Sequence, residues 1–160
     1  MIDDEPWRWR ALAEDDQADV LAAVRTWWGE DGGGDARAVL LPRLFFQHFG
    51  PTSWTVRDDG GRLVAFLVGF VSQTDPTVGY VHFLGVSPDV RGTGLGRALH
   101  DRFAATVRDL GCTSVRAITS VGNTRSQEFH RRLGFVVSDP VDDYDGAGGA
   151  RVCFSQSVDD

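Results

Sequence analysis

The sequence is poor in the residues and runs that mark secreted, metal-binding and membrane proteins. Its 160 residues include two cysteines, Cys112 and Cys153, which form no metal-ligand cluster, so we expect two reduced thiols and no metal. No apolar run approaches the roughly 20 residues of a membrane-spanning helix. Asp3, Asp4 and Glu5 stand where a secretory signal would be basic and then apolar. We therefore expect a soluble, cytoplasmic chain without a membrane partner.

Positive charge is also scarce. The formal net charge is −7, from 23 acidic and 16 basic residues, and every basic residue is arginine. Surfaces that bind nucleic acid are normally basic, so this balance argues against a nucleic-acid partner and mildly favours a cationic amine as ligand. With 42% hydrophobic residues, the chain is long enough for one domain over residues 1–160 whose core needs no disulfide.

Residues 86–99 are the most informative segment, because an apolar strand enters a helix there through a glycine-rich turn. Gly92, Gly94 and Gly96 alternate with other residues, and without a Cβ they let successive N–H groups approach an anion. The following helix adds unpaired amides and its positive dipole end. Arg91 and Arg97 flank the turn, and either can add a charge-assisted hydrogen bond. The pattern predicts a pyrophosphate-binding turn; the alternative is a turn that only reverses the chain.

Two common phosphate-binding loops do not fit this turn. A P-loop needs Lys and then Ser or Thr after the last glycine, whereas Arg97 and Ala98 stand there. A dinucleotide fingerprint spaces its last two glycines by two residues, whereas one residue separates Gly94 from Gly96. The first mismatch argues against an enzyme that hydrolyses ATP or GTP. The second argues against a dinucleotide-binding module, an alternative that only tight binding of NAD would restore.

Two segments, in this order, resemble the GNAT family of N-acetyltransferases. In the family's turn, Arg or Gln is followed by two residues, Gly, one residue and then Gly or Ala, and residues 91–96 match this pattern fully. The second signature is an Asn followed by a short helix that ends in an aromatic residue, a basic pair and Gly-Phe. Residues 123–135 fit it, with His130 where the family usually has Tyr. The resemblance covers about the central third of the chain.

Hydrophobic periodicity and turn residues predict the order of the elements. Strands are expected near residues 7–12 and at 53–57, 62–72, 78–86, 114–119, 135–137 and 151–157, and helices at 16–28, 36–49 with an interruption at Pro42, 95–111 and 126–133. Together with the resemblance, this order predicts an α/β fold with a GNAT-like mixed, mostly antiparallel sheet of about seven strands, flanked by about four helices.

The resemblance implies acetyl-CoA as the acetyl donor. The residues expected to hold it are Leu84, Gly85 and Val86 at the strand end, Arg91, Gly92, Thr93, Gly94, Leu95, Gly96 and Arg97 in the turn, and Asn123 against the pantetheine arm. In the family this strand bulges to admit the cofactor, and its last amides polarise the thioester carbonyl. Gly85 is consistent with such a bulge or with close packing alone.

Two histidines are the expected proton-transfer residues. His82 is the candidate general base, because it lies four residues before Val86 and shares a strand face with Tyr80 and Leu84. His130 is the candidate general acid for the departing thiolate, in the position of the family's Tyr. The structural alternatives are a hydrogen-bonded interior His82 and a surface His130 in a basic cluster.

The leading hypothesis is an enzyme that moves acetyl from acetyl-CoA to a primary amine by direct attack in a ternary complex. The alternative is a catalytically weakened acyl-CoA-binding sensor or regulator, which the replacement of Tyr supports. The amine, a small molecule or a peptide, stays unidentified, and a homodimer is one arrangement found in the family. One set of residues that could wall the acceptor site, and that otherwise belongs to the core, is Trp27, Trp28, Phe45, Phe46, His48 and Phe49. An acidic loop could receive a cationic amine, and it contains Asp142, Asp143 and Asp145 beside Tyr144.

Overall fold

The computed structural model describes residues 6–28 and 33–159. Within these residues the chain forms seven β-strands and five α-helices. The strands are β1 (Arg8–Ala11), β2 (Trp54–Arg57), β3 (Leu63–Val71), β4 (Val78–Val86), β5 (Ser114–Ser120), β6 (Val136–Val137) and β7 (Arg151–Ser157), and the helices are α1 (Gln17–Trp27), α2 (Gly34–Ala38), α3 (Arg43–His48), α4 (Leu95–Asp109) and α5 (Thr124–Arg132). The expected α/β fold is confirmed.

The strands form one mixed sheet in the order β1-β2-β3-β4-β5-β7-β6. The pairs β1/β2, β2/β3, β5/β7 and β6/β7 are antiparallel, whereas β4 and β5 are parallel. Parallel neighbours need a long crossover connection, which α4 supplies. The parallel pairing joins Val78–Tyr80 to Ser114–Arg116, and His82 lies beyond it.

Contacts divide the chain into two compact units, Met1–Phe70 with Phe83–Phe103 and Val71–His82 with Ala104–Asp160. The core of the first unit is built on Val20, Val24 and Phe66, which are fully buried. The side chain of Asp16, also fully buried, accepts hydrogen bonds from Arg10 and Arg57. This buried carboxylate ties the start of α1 to β1 and β2.

The predicted helix over residues 36–49 is two helices, α2 and α3, separated near Pro42 as expected. Pro42 has φ −64° and ψ 159° and precedes the first residue of α3. Its ring removes the N–H that a continuous helix would need, so the chain restarts there. The expected cap at Gly29 and part of the loop at residues 31–35 lie outside the described residues, and α2 already begins at Gly34.

The second unit has its own core around β5, β7 and the end of α4. Val107, Val115 and Phe154 are buried there. A Cβ at Gly79 would lie 2.8 Å from Val107 Cγ2, so α4 packs directly on the backbone of β4. Across the described part of the chain, no helix has the length and apolar character needed to cross a membrane.

Candidate active site

The glycine-rich turn adopts a backbone that side chains other than glycine strain to reach. Gly92 has φ +82° and Gly94 has φ +87°. A Cβ at either position would meet nothing within 4 Å, so conformation and not packing requires glycine here. The open space leaves the backbone accessible from outside.

The amides of this turn are unused by the protein. Within residues 6–28 and 33–159, no backbone N–H from Gly92 to Gly96 donates a hydrogen bond to a protein acceptor. The first backbone bond at the start of α4 runs from the Ala98 N–H to the Gly94 carbonyl, at 3.0 Å. Consecutive free donors at the N-terminus of a 15-residue helix suit an anion, so the geometry fits the predicted pyrophosphate site.

The residues around the turn hold it against the strand end. Arg91 Nε donates to the Val86 carbonyl at 3.2 Å, and Thr93 Oγ1 donates to the Val90 carbonyl at 2.7 Å. Arg97 is exposed on the first turn of α4. Arg91 therefore braces the loop, while Arg97 lies on its surface.

Gly85 is a close-packing position. A Cβ there would lie 2.7 Å from Phe66 Cε1 and 3.1 Å from Trp28 Cη2. Leu84 and Val86, on either side, are half-buried. The last strand residues before the turn therefore run directly against aromatic rings.

Asn123 caps α5 in the second unit. Its Oδ1 accepts a hydrogen bond from the Ser126 N–H at 3.2 Å, which is the usual bond of an N-cap. This bond explains why α5 begins at Thr124, two residues before the predicted start. Because the side-chain oxygen of Asn123 accepts this bond, the N–H groups of its side-chain amide are the ones that would donate to a ligand.

His130 is held among aromatic rings. Its ring stacks on Phe154 with centroids 3.8 Å apart and an interplanar angle of 7°, and Phe135 meets it edge-on at 5.0 Å. Nδ1 lies 2.7 Å from the Ser126 carbonyl oxygen and therefore donates its proton there. Nε2 is the ring nitrogen that can change protonation while this bond persists. The position of His130 is half-buried.

His82 and Tyr80 lie in the same strand two residues apart, which places both on one face of β4. Both are half-buried. Burial raises the pKa of Tyr80 to about 12, with smaller contributions from Tyr144, Cys153 and Asp145. The Tyr80 hydroxyl therefore stays protonated near neutral pH and can donate a hydrogen bond. No role for Tyr80 was predicted from the sequence, although its alternation with His82 places the two side chains on one strand face.

The carboxylates of the loop before β7 mainly support the loop itself. Asp145 pairs with Arg151 at 2.6 Å, and Asp143 Oδ1 accepts the Gly148 N–H at 3.0 Å. Over the described residues, no group of three or more His, Cys, Asp or Glu side chains is arranged to hold a metal ion. Both cysteines are free thiols, and burial raises the pKa of Cys112.

Comparison with known proteins decides the family. Residues 9–135 match the model described as the Acetyltransferase (GNAT) family. The chain belongs to this family. The GNAT fold is found again in the crystal structure of a GNAT-family protein from Desulfovibrio desulfuricans, with a TM-score of 0.76 and 19% identity over 96% of this chain and 99% of that one.

Curated relatives of this GNAT chain are larger proteins. It is 35% identical over 107 residues to the Mycothiol acetyltransferase of Pseudarthrobacter chlorophenolicus, across 64% of this chain and 33% of that protein. It is 36% identical over 153 residues to the Mycothiol acetyltransferase of Beutenbergia cavernae, across 78% of this chain and 51% of that protein. The chain thus spans about a third to a half of the length of these relatives.

Proposed function

We propose that this GNAT chain transfers an acetyl group from acetyl-CoA to a primary amine by direct attack in a ternary complex. The row of unpaired amides from Gly92 to Gly96 is the observation that carries the proposal. Membership of an acetyltransferase family supports the reaction type. We also propose that residues 1–160 form one N-acetyltransferase domain, which the family match from residue 9 to residue 135 supports.

Cofactor binding is assigned to the turn, the strand end before it and the cap of α5. The amides of Gly92, Thr93, Gly94, Leu95 and Gly96 would bind the pyrophosphate, with Arg97 adding charge and Arg91 holding the loop in place. Backbone groups of Leu84, Gly85 and Val86 would meet the pantetheine arm, as would the side-chain amide of Asn123. Bound acetyl-CoA supplies an activated thioester.

Proton transfer is assigned to the two histidines. His82 would take the proton of the attacking ammonium, because an imidazole nitrogen can accept a proton and this side chain lies on the strand that leads to the turn. His130 would give a proton to the thiolate from Nε2 while Nδ1 keeps its bond to Ser126. Tyr80, which stays protonated, would donate a hydrogen bond beside His82.

The test is release of free CoA thiol when the purified chain receives acetyl-CoA and a panel of small amines and peptides. We expect release that requires an amine. The His82→Ala variant should lose more turnover near neutral pH, where the acceptor is an ammonium ion, than at high pH, where the free amine needs no base, and it should bind acetyl-CoA normally. An unchanged rate across pH would remove His82 from the mechanism.

His130 is tested by a separate measurement. In His130→Phe the stacked ring is kept and the proton donor is lost, so pre-steady-state release of thiol should slow. Unaltered release would reject the general-acid role. The weakened-sensor alternative predicts binding of acetyl-CoA and no thiol release with any amine.

The acceptor is a small-molecule or peptide amine in this proposal. Both relatives are named Mycothiol acetyltransferase, so the acceptor substrate of those proteins belongs in the panel of amines. We also propose a cytoplasmic location, which the two free thiols support, because reduced cysteines are typical of that compartment. A homodimer is the oligomeric state to be tested by light scattering.

A further inference from the structure

Arg37 occupies an unusual place in the first unit. The side chain is half-buried, and its guanidinium carbon lies 5.5 Å from the centre of the Trp28 ring. A Cβ at Gly33 would collide with Arg37 Nη1, so the guanidinium group also lies directly against the backbone at Gly33. Within residues 6–28 and 33–159, no carboxylate forms an ion pair with Arg37.

Neighbouring arginines of the same unit behave differently. Arg25 pairs with Asp35 at 3.1 Å, and Arg57 pairs with Asp16 at 3.0 Å. Partly burying a cation without an acidic partner costs free energy, and a cation–π contact recovers only about 0.5–2 kcal/mol. Arg37 therefore has hydrogen-bond donors suited to a carboxylate, since a guanidinium group binds one with two parallel N–H bonds.

Aromatic rings connect Arg37 to the strand end of the proposed active site. Trp28 meets Phe83 edge-on at 5.5 Å, and Phe83 stacks on Phe66 at 5.5 Å. The Trp28 ring also approaches the backbone at Gly85, where a Cβ would lie 3.1 Å from Cη2. Trp28 and Phe83 are half-buried, so their rings keep some exposed surface.

We propose that Trp28, Phe83 and Arg37 form the acceptor surface, and that the acceptor is an amine that carries a carboxylate and an apolar or aromatic group, as aromatic α-amino acids do. This inference rests on the proposed function. Arg37 binds the carboxylate, and the two rings pack against the side chain of the acceptor. The local positive charge selects against amines without an anionic group, although the chain as a whole is acidic.

The experiment compares two acceptors that differ only in the carboxylate, L-phenylalanine and 2-phenylethylamine. We expect a higher kcat/KM for L-phenylalanine. In Arg37→Met its kcat/KM should fall about 10- to 100-fold, which is the usual loss for a charged hydrogen bond, and 2-phenylethylamine should be unaffected. Arg37→Lys should recover part of the loss. The matched control is Arg25→Met, since Arg25 lies on the same unit and already has a carboxylate partner.

A binding measurement separates this inference from the proposed function. 3-Phenylpropionate has the ring and the carboxylate but no amine, so its binding, followed by tryptophan fluorescence, needs no turnover. We expect binding to the wild type and to Arg25→Met, and at least about 10-fold weaker binding to Arg37→Met. Equal binding to Arg37→Met and wild type, or equal kcat/KM for the two amines, overturns the acceptor assignment. Binding of 3-phenylpropionate without acetyl transfer to any amine would leave the surface standing and refute the enzymatic proposal.

Discussion

Replacing Gly94 by alanine separates ligand binding from backbone strain. Gly94 has φ +87°, and a Cβ there would meet nothing within 4 Å of the protein. The substitution therefore lowers the free energy of unfolding only by the cost of placing alanine in the left-handed conformation, about 1–2 kcal/mol. For a chain of this length that is a fall in Tm of roughly 2–8 °C.

The effect on cofactor binding should be larger. The Cβ would project into the open space through which a pyrophosphate reaches the amides, and one or two charged hydrogen bonds would be lost. Each is worth about 1.5–3 kcal/mol, so we expect the affinity for CoA to fall at least about 10- to 100-fold. Isothermal titration calorimetry measures the affinity, and differential scanning fluorimetry measures the Tm.

Gly61→Ala is the matched control. Gly61 has φ +83° and also has nothing within 4 Å of its absent Cβ, but it lies in the turn between β2 and β3. Its variant should lose a similar amount of stability and bind CoA as the wild type does. The reasoning is refuted if Gly94→Ala binds CoA as tightly as Gly61→Ala.

Three further predictions concern packing and protonation. Gly85→Ala should lose about 1–3 kcal/mol in urea denaturation, because its Cβ would overlap the Phe66 ring; a stable variant would contradict this packing. Asp16→Ala should lose about 2–4 kcal/mol in the same assay, because Arg57 loses its buried partner, and a loss under 1 kcal/mol would argue against that role. Tyr80 holds its proton more tightly in the folded chain, so stability should decline as pH rises from about 10 to about 12, and Tyr80→Phe should remove this decline.

Local signals predicted the elements and the turn well. β4 and β7 have the bounds that alternation and turn residues indicated, and the interruption at Pro42 follows from a missing N–H. The positive φ at Gly92 and Gly94 also follows from local sequence, because glycine is the residue that tolerates it. These features depend on neighbours within a few positions of the chain.

Features that depend on distant residues were not predictable in this way. The sequence left Gly85 between two interpretations, and only the approach of Phe66 and Trp28 identifies close packing. Nothing in the local sequence distinguishes Arg37 from other arginines, because its contact with the Trp28 ring depends on the fold. His130 was expected either in catalysis or on the surface, whereas its stacking on Phe154 depends on a strand that lies over twenty residues later.

Backbone amide chemical shifts test the central claim most directly. In an isotope-labelled chain, titration with acetyl-CoA should move the N–H resonances of Gly92, Thr93, Gly94, Leu95 and Gly96 strongly downfield, as expected for new bonds to phosphate oxygens. The Gly61 resonance should not move. Saturable binding of acetyl-CoA with these five resonances unchanged would contradict the account.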